Sequence, residues 1–250
     1  MTDPIGVEFG HARKIAACRC SIIALPDVMR RRESNGLSYL ASYTYGDATN
    51  SGPGFFPGNP SRGGSVTDSS CVKAGTTNCN LSLDEGPADY DARHRFTFAA
   101  TYALPFMKGN AALGGWAVNT VLTIQSGTPF TVYDSSGKRA DQKGEANNGT
   151  HSIDQWFNTQ VFTAAKGSQG TASRNSVRGP ATRTVDLSLF KTFGLPRFGA
   201  LELRVEGFNV LNTPLYNQPN STVGDTNFGK ITGTRLNSER QVQLAARYIF

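Results

Sequence analysis

The chain contains no apolar run approaching the roughly 20 residues that a membrane-crossing helix requires. Hydrophobic residues make up 38% of its 250 positions. That excludes a helical membrane protein but not a barrel, whose strands need only about 9–11 alternating residues each. Histidine is scarce: His11, His94 and His151 are the three, and none has a Cys, Asp or Glu at metal-ligand spacing. GLSYL (36–40) is not the Gly-x-Ser-x-Gly of a nucleophile elbow. The glycines near 62–64 lack the lysine and flanking strand of a phosphate loop. Asp134 and Asp141 are loop acids with no visible partner, and no calcium-ligand spacing accompanies them. The expectation is a chain that is not an enzyme and holds no cofactor and no metal.

Cysteine is also sparse, with four residues in two pairs. Cys71 and Cys79 lie in a Gly/Ser/Thr/Asn-rich stretch (SSCVKAGTTNC), where a local disulfide is the expectation in an oxidising compartment and two free thiols are the alternative. Cys18 and Cys20 are too close for an unstrained bridge and match no zinc spacing. Charge is low at 18%, and the net +6 is scattered apart from Arg30-Arg31-Arg32. A nucleic-acid surface concentrates basic charge among stacking aromatics, so no nucleic-acid partner is expected. The opening stretch (MTDPIGVEFGHARKIAACRC) carries Asp3 and Glu8 and no continuous apolar segment, unlike a secretory leader.

What the chain does have is two-residue alternation. In the last nine residues, 242–250 (VQLAARYIF), Val242, Leu244, Ala246, Tyr248 and Phe250 alternate with Gln243, Ala245, Arg247 and Ile249. Period two separates these onto the two faces of a strand, one wholly apolar and the other bearing an amide and a guanidinium. Five earlier segments read the same way. In 36–45, Leu37, Tyr39, Ala41, Tyr43 and Tyr45 oppose Ser38, Ser42 and Thr44. From about 94 to 104, Phe96, Phe98, Ala100, Tyr102 and Leu104 oppose Arg95, Thr97 and Thr101. From 116, Trp116, Val118, Leu122 and Ile124 oppose Asn119, Thr123 and Gln125. From about 184 to 193, Val185, Leu187 and Leu189 oppose Asp186 and Ser188. From 201, Leu201, Leu203 and Val205 oppose Glu202, Arg204 and Glu206; a helix would scatter these residues around its axis.

The connections alternate too. Those before the second, fourth and sixth strands are long and rich in Gly, Ser, Asn and Asp; those before the third and fifth, near 105–115 and 194–200, are short. External loops and tight periplasmic turns give an outer-membrane barrel this asymmetry, and it places Phe250 on the periplasmic side. Tyr43, Tyr45, Tyr102, Trp116, Phe130, Phe190, Phe193, Tyr248 and Phe250 fall near strand ends, as aromatic girdles would. The fold class expected is all-β: an antiparallel, up-and-down transmembrane β-barrel segment of about six strands with long external loops. Arg95, Arg204, Glu206 and Arg247 should face its lumen.

Read in order, the segments resemble the TonB-dependent receptors, specifically their Oar-like branch. The residues that carry the resemblance are NGLSYLASYTYG (35–46), DARHRFTFAATYALPF (91–106), LGGWAVNTVLTIQSGTPFTV (113–132), WFNTQVF (156–162), RNSVRGPATRTVDLSLFKTF (174–193), LELRVEGFNVLNTPLYNQPN (201–220), NFGKITGTR (227–235) and the terminal strand. The resemblance divides the chain into a non-matching segment at 1–33, frame-shifted or disordered, and a barrel segment at 34–250. Within 1–33, ALPDVMRRRESNG looks like an eroded copy of a strand and turn.

The resemblance implies a 22-stranded barrel filled by a plug, outer-membrane lipid around it, an unknown bulky nutrient as ligand, and an energy-coupling TonB complex acting through the plug. It also implies that Leu244, Tyr248 and Phe250 form the signal read by the barrel assembly machinery. Arg95, Arg204, Glu206 and Arg247 would then touch the plug or simply be hydrated wall. No plug, leader or TonB-contact segment is recognisable, so the expectation is a gene fragment. Six strands do not close a barrel, whose smallest single-chain form has eight, and open edges in lipid cost several kcal/mol per unsatisfied group. Two alternatives remain: closure of one pore by three copies, or a secreted β-sandwich adhesin or carbohydrate-binding module that buries the apolar faces between sheets.

Overall fold

The computed structural model describes residues 7–9, 21–50, 85–106, 110, 113–166 and 170–250. Eight strands follow one another in one antiparallel sheet: β1 (Val7–Phe9), β2 (Ser21–Ser34), β3 (Leu37–Asn50), β4 (His94–Ala103), β5 (Trp116–Gln125), β6 (Thr182–Leu195), β7 (Gly199–Phe208) and β8 (Gln241–Ile249). A two-residue strand, Gly86–Pro87, pairs with the end of β3. Each strand pairs only with its sequence neighbours, so the sheet is a linear meander, and β1 and β8 do not meet. The six segments recognised by alternation are β3 to β8.

Register shows why this sequence makes a two-faced wall. Leu37, Tyr102, Val118, Leu189, Val205 and Leu244 stand opposite one another across β3 to β8. The adjacent row is Ser38, Thr101, Asn119, Ser188, Glu206 and Gln243. One row is wholly apolar and the next wholly polar. A slip of one residue on any strand would exchange the faces and strand polar groups on the apolar side, so the pattern itself fixes the pairing.

The turns at one end are tight. Asn35 and Gly36, both at positive φ (54° and 80°), make the two-residue connection between β2 and β3, a backbone that Asn-Gly adopts readily. Between β6 and β7 the chain reverses at 196–198, with the Phe198 N–H donating to the Leu195 carbonyl at 2.9 Å. Gly199 follows at φ 93°, and a Cβ there would collide with the Ile249 carbonyl, so only glycine fits.

β2 is a strand that alternation did not reveal, in a stretch read as non-matching. Pro26, Asp27 and three successive arginines interrupt its period. Pairing with β3 from Ser21↔Thr49 to Ser34↔Leu37 holds it extended, with a register shift between Arg31 and Ser34. The eroded strand and turn seen at 24–36 correspond to β2 and its Asn-Gly reversal.

The long connections leave the opposite end, and those after β5 and β7 are built around a common core. Residues 126–166, 170–181 and 209–240 pack into one unit around Val132, Phe157, Phe162 and Val177, with Phe130, Trp156, Val223 and Phe228 against them. Phe157 is completely buried, with the rings of Phe130, Phe162 and Phe228 at 5.6, 5.8 and 5.4 Å. Short pairings knit the unit: Val177–Arg178 with Pro129–Phe130, Phe162–Thr163 with Asp141–Gln142, and Thr222–Val223 parallel to Tyr133–Asp134. We call it the cap.

Candidate functional site

The apolar face is exposed along the sheet. Leu189, Val205 and Leu244 are 39, 43 and 80% accessible, and Val242 and Tyr248 exceed half. A β-sandwich would cover such a face with a second sheet. Among the described residues it is bare, and a continuous apolar surface of this extent needs a non-aqueous neighbour.

Aromatic residues mark its ends. Tyr102, Trp116, Phe193 and Tyr248 cluster where the turns are tight, and Tyr43 lies near the cap with its hydroxyl 2.8 Å from His94 Nδ1. Lys191 also lies on the apolar face, opposite Trp116, and is only 4% accessible. Its ammonium lies 4.6 Å from the Phe193 ring centre and 5.8 Å from that of Trp116, a cation laid along aromatic surface at a boundary. Two aromatics expected in the girdles are elsewhere. Phe130 packs against Phe157 in the cap, because the chain has already left β5 by that point. Phe190 lies on the polar face under the Arg204 guanidinium at 4.8 Å, because its register parity matches that of Arg204.

On the polar face, Arg204 lies between Glu202 and Glu206, at 3.0 and 3.3 Å. The Gln243 amide donates to Glu206 from the neighbouring strand. Arg247 stands opposite Glu202 in the register, and Arg95 stands opposite Thr44 and Gln125. All four charged residues singled out from the alternation therefore occupy the polar face, Arg204 and Glu206 bonded to each other and Arg95 and Arg247 apart from them. Leu244 and Tyr248 share the apolar face of β8. Phe250 follows the strand, fully exposed, its ring 6.2 Å from that of Tyr248, whose hydroxyl donates to the Phe198 carbonyl. Cys71 and Cys79, with Cys18, Cys20 and His11, lie outside the described residues.

The cap accounts for the remaining candidates. Asp134 accepts from the Ser136 hydroxyl at 2.7 Å, from the Ser136 and Lys138 amides at 2.9 and 3.0 Å, and from the Ala165 amide at 3.3 Å. The Ser136 hydroxyl above all, then these amides, hold its carboxyl below the usual carboxylate range, against the opposing effect of burial. Asp141 accepts from the Lys166 and Thr171 amides at 3.2 and 3.1 Å. Both acids thus have partners that sequence could not show, and their work is to fold loops. His151, at φ 53°, lies edge-on to Trp156 at 5.2 Å, and the Trp156 indole donates to the Arg178 carbonyl at 2.8 Å.

Sequence reasoning missed the brace that joins cap to wall. Arg178 ion-pairs with Asp91, whose side chain is 1% accessible, and donates at 3.2 Å to the carbonyls of both Asp91 and Gly127. The other Asp91 oxygen accepts from the Ala48 amide at 3.0 Å. Arg174 pairs with Asp89 at 3.4 Å and bonds Asn50, while the Asn175 amide donates to the Pro87 carbonyl at 2.7 Å. These residues lay inside two recognised segments, 91–106 and 174–193, or beside them, but nothing local pairs one segment with the other.

Residues 24–243 match the family model described as an outer membrane beta barrel domain. No curated protein and no solved structure matches the chain. The match covers most of the chain, and it agrees with the two-faced wall, its girdles and its lopsided loops. The chain therefore belongs to the outer membrane beta-barrel domain family, and its place is the bacterial outer membrane.

Proposed function

We propose that the chain is part of the wall of a TonB-dependent receptor of the Oar-like kind, working in the uptake of a bulky nutrient. The supporting observation is a linear meander whose two ends do not meet. A plugged barrel of 22 strands supplies the partners that such edges need in lipid. The ordered motifs from 35–46 to 242–250 favour this receptor class over other barrels.

In this reading the protein does no covalent chemistry. Outer-membrane lipid covers the apolar face. The assembly machinery reads Leu244, Tyr248 and Phe250, and the TonB complex acts through a plug facing Arg95, Arg204, Glu206 and Arg247. The test is co-expression of the chain, directed to the periplasm, with the plug and preceding strands of a receptor of this kind. A heat-modifiable complex in the outer membrane that binds the periplasmic domain of TonB is expected. Insertion of the chain alone as a multimeric, ion-conducting pore would overturn the receptor reading.

A further inference from the structure

The chain has two Asn-Gly pairs, Asn35-Gly36 and Asn148-Gly149, and their surroundings differ. In such a pair the glycine amide nitrogen, on losing its proton, can attack the asparagine side-chain carbon and close a five-membered ring. Glycine leaves that nitrogen unshielded, so the packing around each pair decides whether the ring closes.

Asn35 forms the exposed tip of the β2–β3 turn, at φ 54°. Among the described residues its side-chain amide has no hydrogen-bond partner, and nothing accepts from the Gly36 N–H. The turn itself demands glycine at 36. Its φ is 80°, and a Cβ there would lie 3.1 Å from the Ala103 carbonyl oxygen and 3.3 Å from the Ala103 Cβ. The residue that lets the hairpin close is therefore also the one that leaves the nucleophile open.

Asn148-Gly149 is held in place. The Asn148 side-chain oxygen accepts from the Asn158 amide at 3.4 Å. Gly149 presses on the backbone of the buried Phe157, where a Cβ would overlap the Phe157 Cα. Ring closure at this pair requires the cap to open first.

We propose that Asn35 is a site of spontaneous deamidation and isoaspartate formation, from which the cap protects Asn148. The Gly36 nitrogen bonds the Asn35 side-chain carbon, and the bond from that carbon to its own nitrogen breaks. Ammonia leaves, carrying the proton that Gly36 gave up. Water then opens the ring. Attack at the side-chain carbonyl gives aspartate, and attack at the main-chain carbonyl gives isoaspartate. Aspartate can keep a left-handed turn. Isoaspartate inserts a methylene into the main chain, so the two-residue turn no longer sets the Ser34↔Leu37 pairing. This chemistry needs only the hairpin and is independent of the receptor reading.

The test is ageing of the full chain in detergent micelles at mildly alkaline pH, with a parallel sample in urea. Peptide mass spectrometry follows deamidation at both sites, and an isoaspartyl methyltransferase labels the isoaspartate. In micelles Asn35 should deamidate about tenfold faster than Asn148 or more, because a packed site reacts only through opening. In urea the two rates should converge. Asn35→Gly, which leaves positive φ available to the turn, should lose the label at the hairpin. Asn148 keeping pace with Asn35 in micelles would overturn the proposal, and so would an Asn35 that stays intact there. A gap that persists unchanged in urea would place its cause in the neighbouring sequence and overturn the role of packing. Label remaining at the hairpin of Asn35→Gly would overturn the assignment to Asn35.

Discussion

Phe157 does the most for the cap of any single side chain. It is fully buried between three other aromatic rings, none of which its sequence neighbourhood marks as a core. Phe157→Ala should cost about 3–5 kcal/mol, the range for deleting a buried phenylalanine. The change should appear as a lower cap melting midpoint by near-ultraviolet circular dichroism, with the strand signal unchanged. Asp134 gives the cap a pH dependence. Its folded carboxyl titrates below its unfolded value, so its contribution is complete above the ordinary carboxylate pKa of about 4 and is lost as pH falls through the lower folded value. Cap stability should therefore decline on acidification below about pH 4, and Asp134→Asn should flatten that decline. At this scale the sequence was least legible. Asp91 and Arg178 are 87 residues apart, and nothing in either segment announces the other. The partners of Asp134 are mostly backbone amides, which residue identity does not reveal.

Strands were the most legible elements, for a physical reason. A wall with lipid on one side and water on the other imposes period two on every strand that crosses it, and β3 to β8 each carry that pattern locally. β2 escaped because Asp27 and its arginines break the period, leaving pairing with β3 as the evidence for it. Phe130 and Phe190 were misplaced because nearness to a strand end does not fix either the exit point of the chain or the parity of a side chain. The same parity makes a mutational prediction. Val205→Arg, on the apolar face, should destabilise the wall in a bilayer by about 2–4 kcal/mol if near its midplane. Gln243→Lys, one row away on the polar face, should change urea unfolding little. At the turn end, Gly199→Ala should lower refolding yield in detergent, because the new methyl meets the Ile249 carbonyl and φ 93° disfavours it.

Taken whole, the molecule has a lipid-facing wall and a water-facing cap built from the connections of that wall. The long connections looked like plain external loops because their Gly, Ser, Asn and Asp content hides the few aromatics that form a core. Their side of the sheet was nevertheless readable from the alternation of long and short connections.

The central claim is that one face of β3 to β8 meets lipid and the other water. Spin labels placed singly at 201–206, on a background with Cys18, Cys20, Cys71 and Cys79 changed to serine, test it directly in liposomes that hold the chain co-assembled with the plug and preceding strands of a receptor of this kind. Accessibility to oxygen, which concentrates in lipid, should peak at 201, 203 and 205, and accessibility to a water-soluble nickel chelate should peak at 202, 204 and 206. Equal exposure of both sets to the chelate, with no period of two, would contradict a membrane wall.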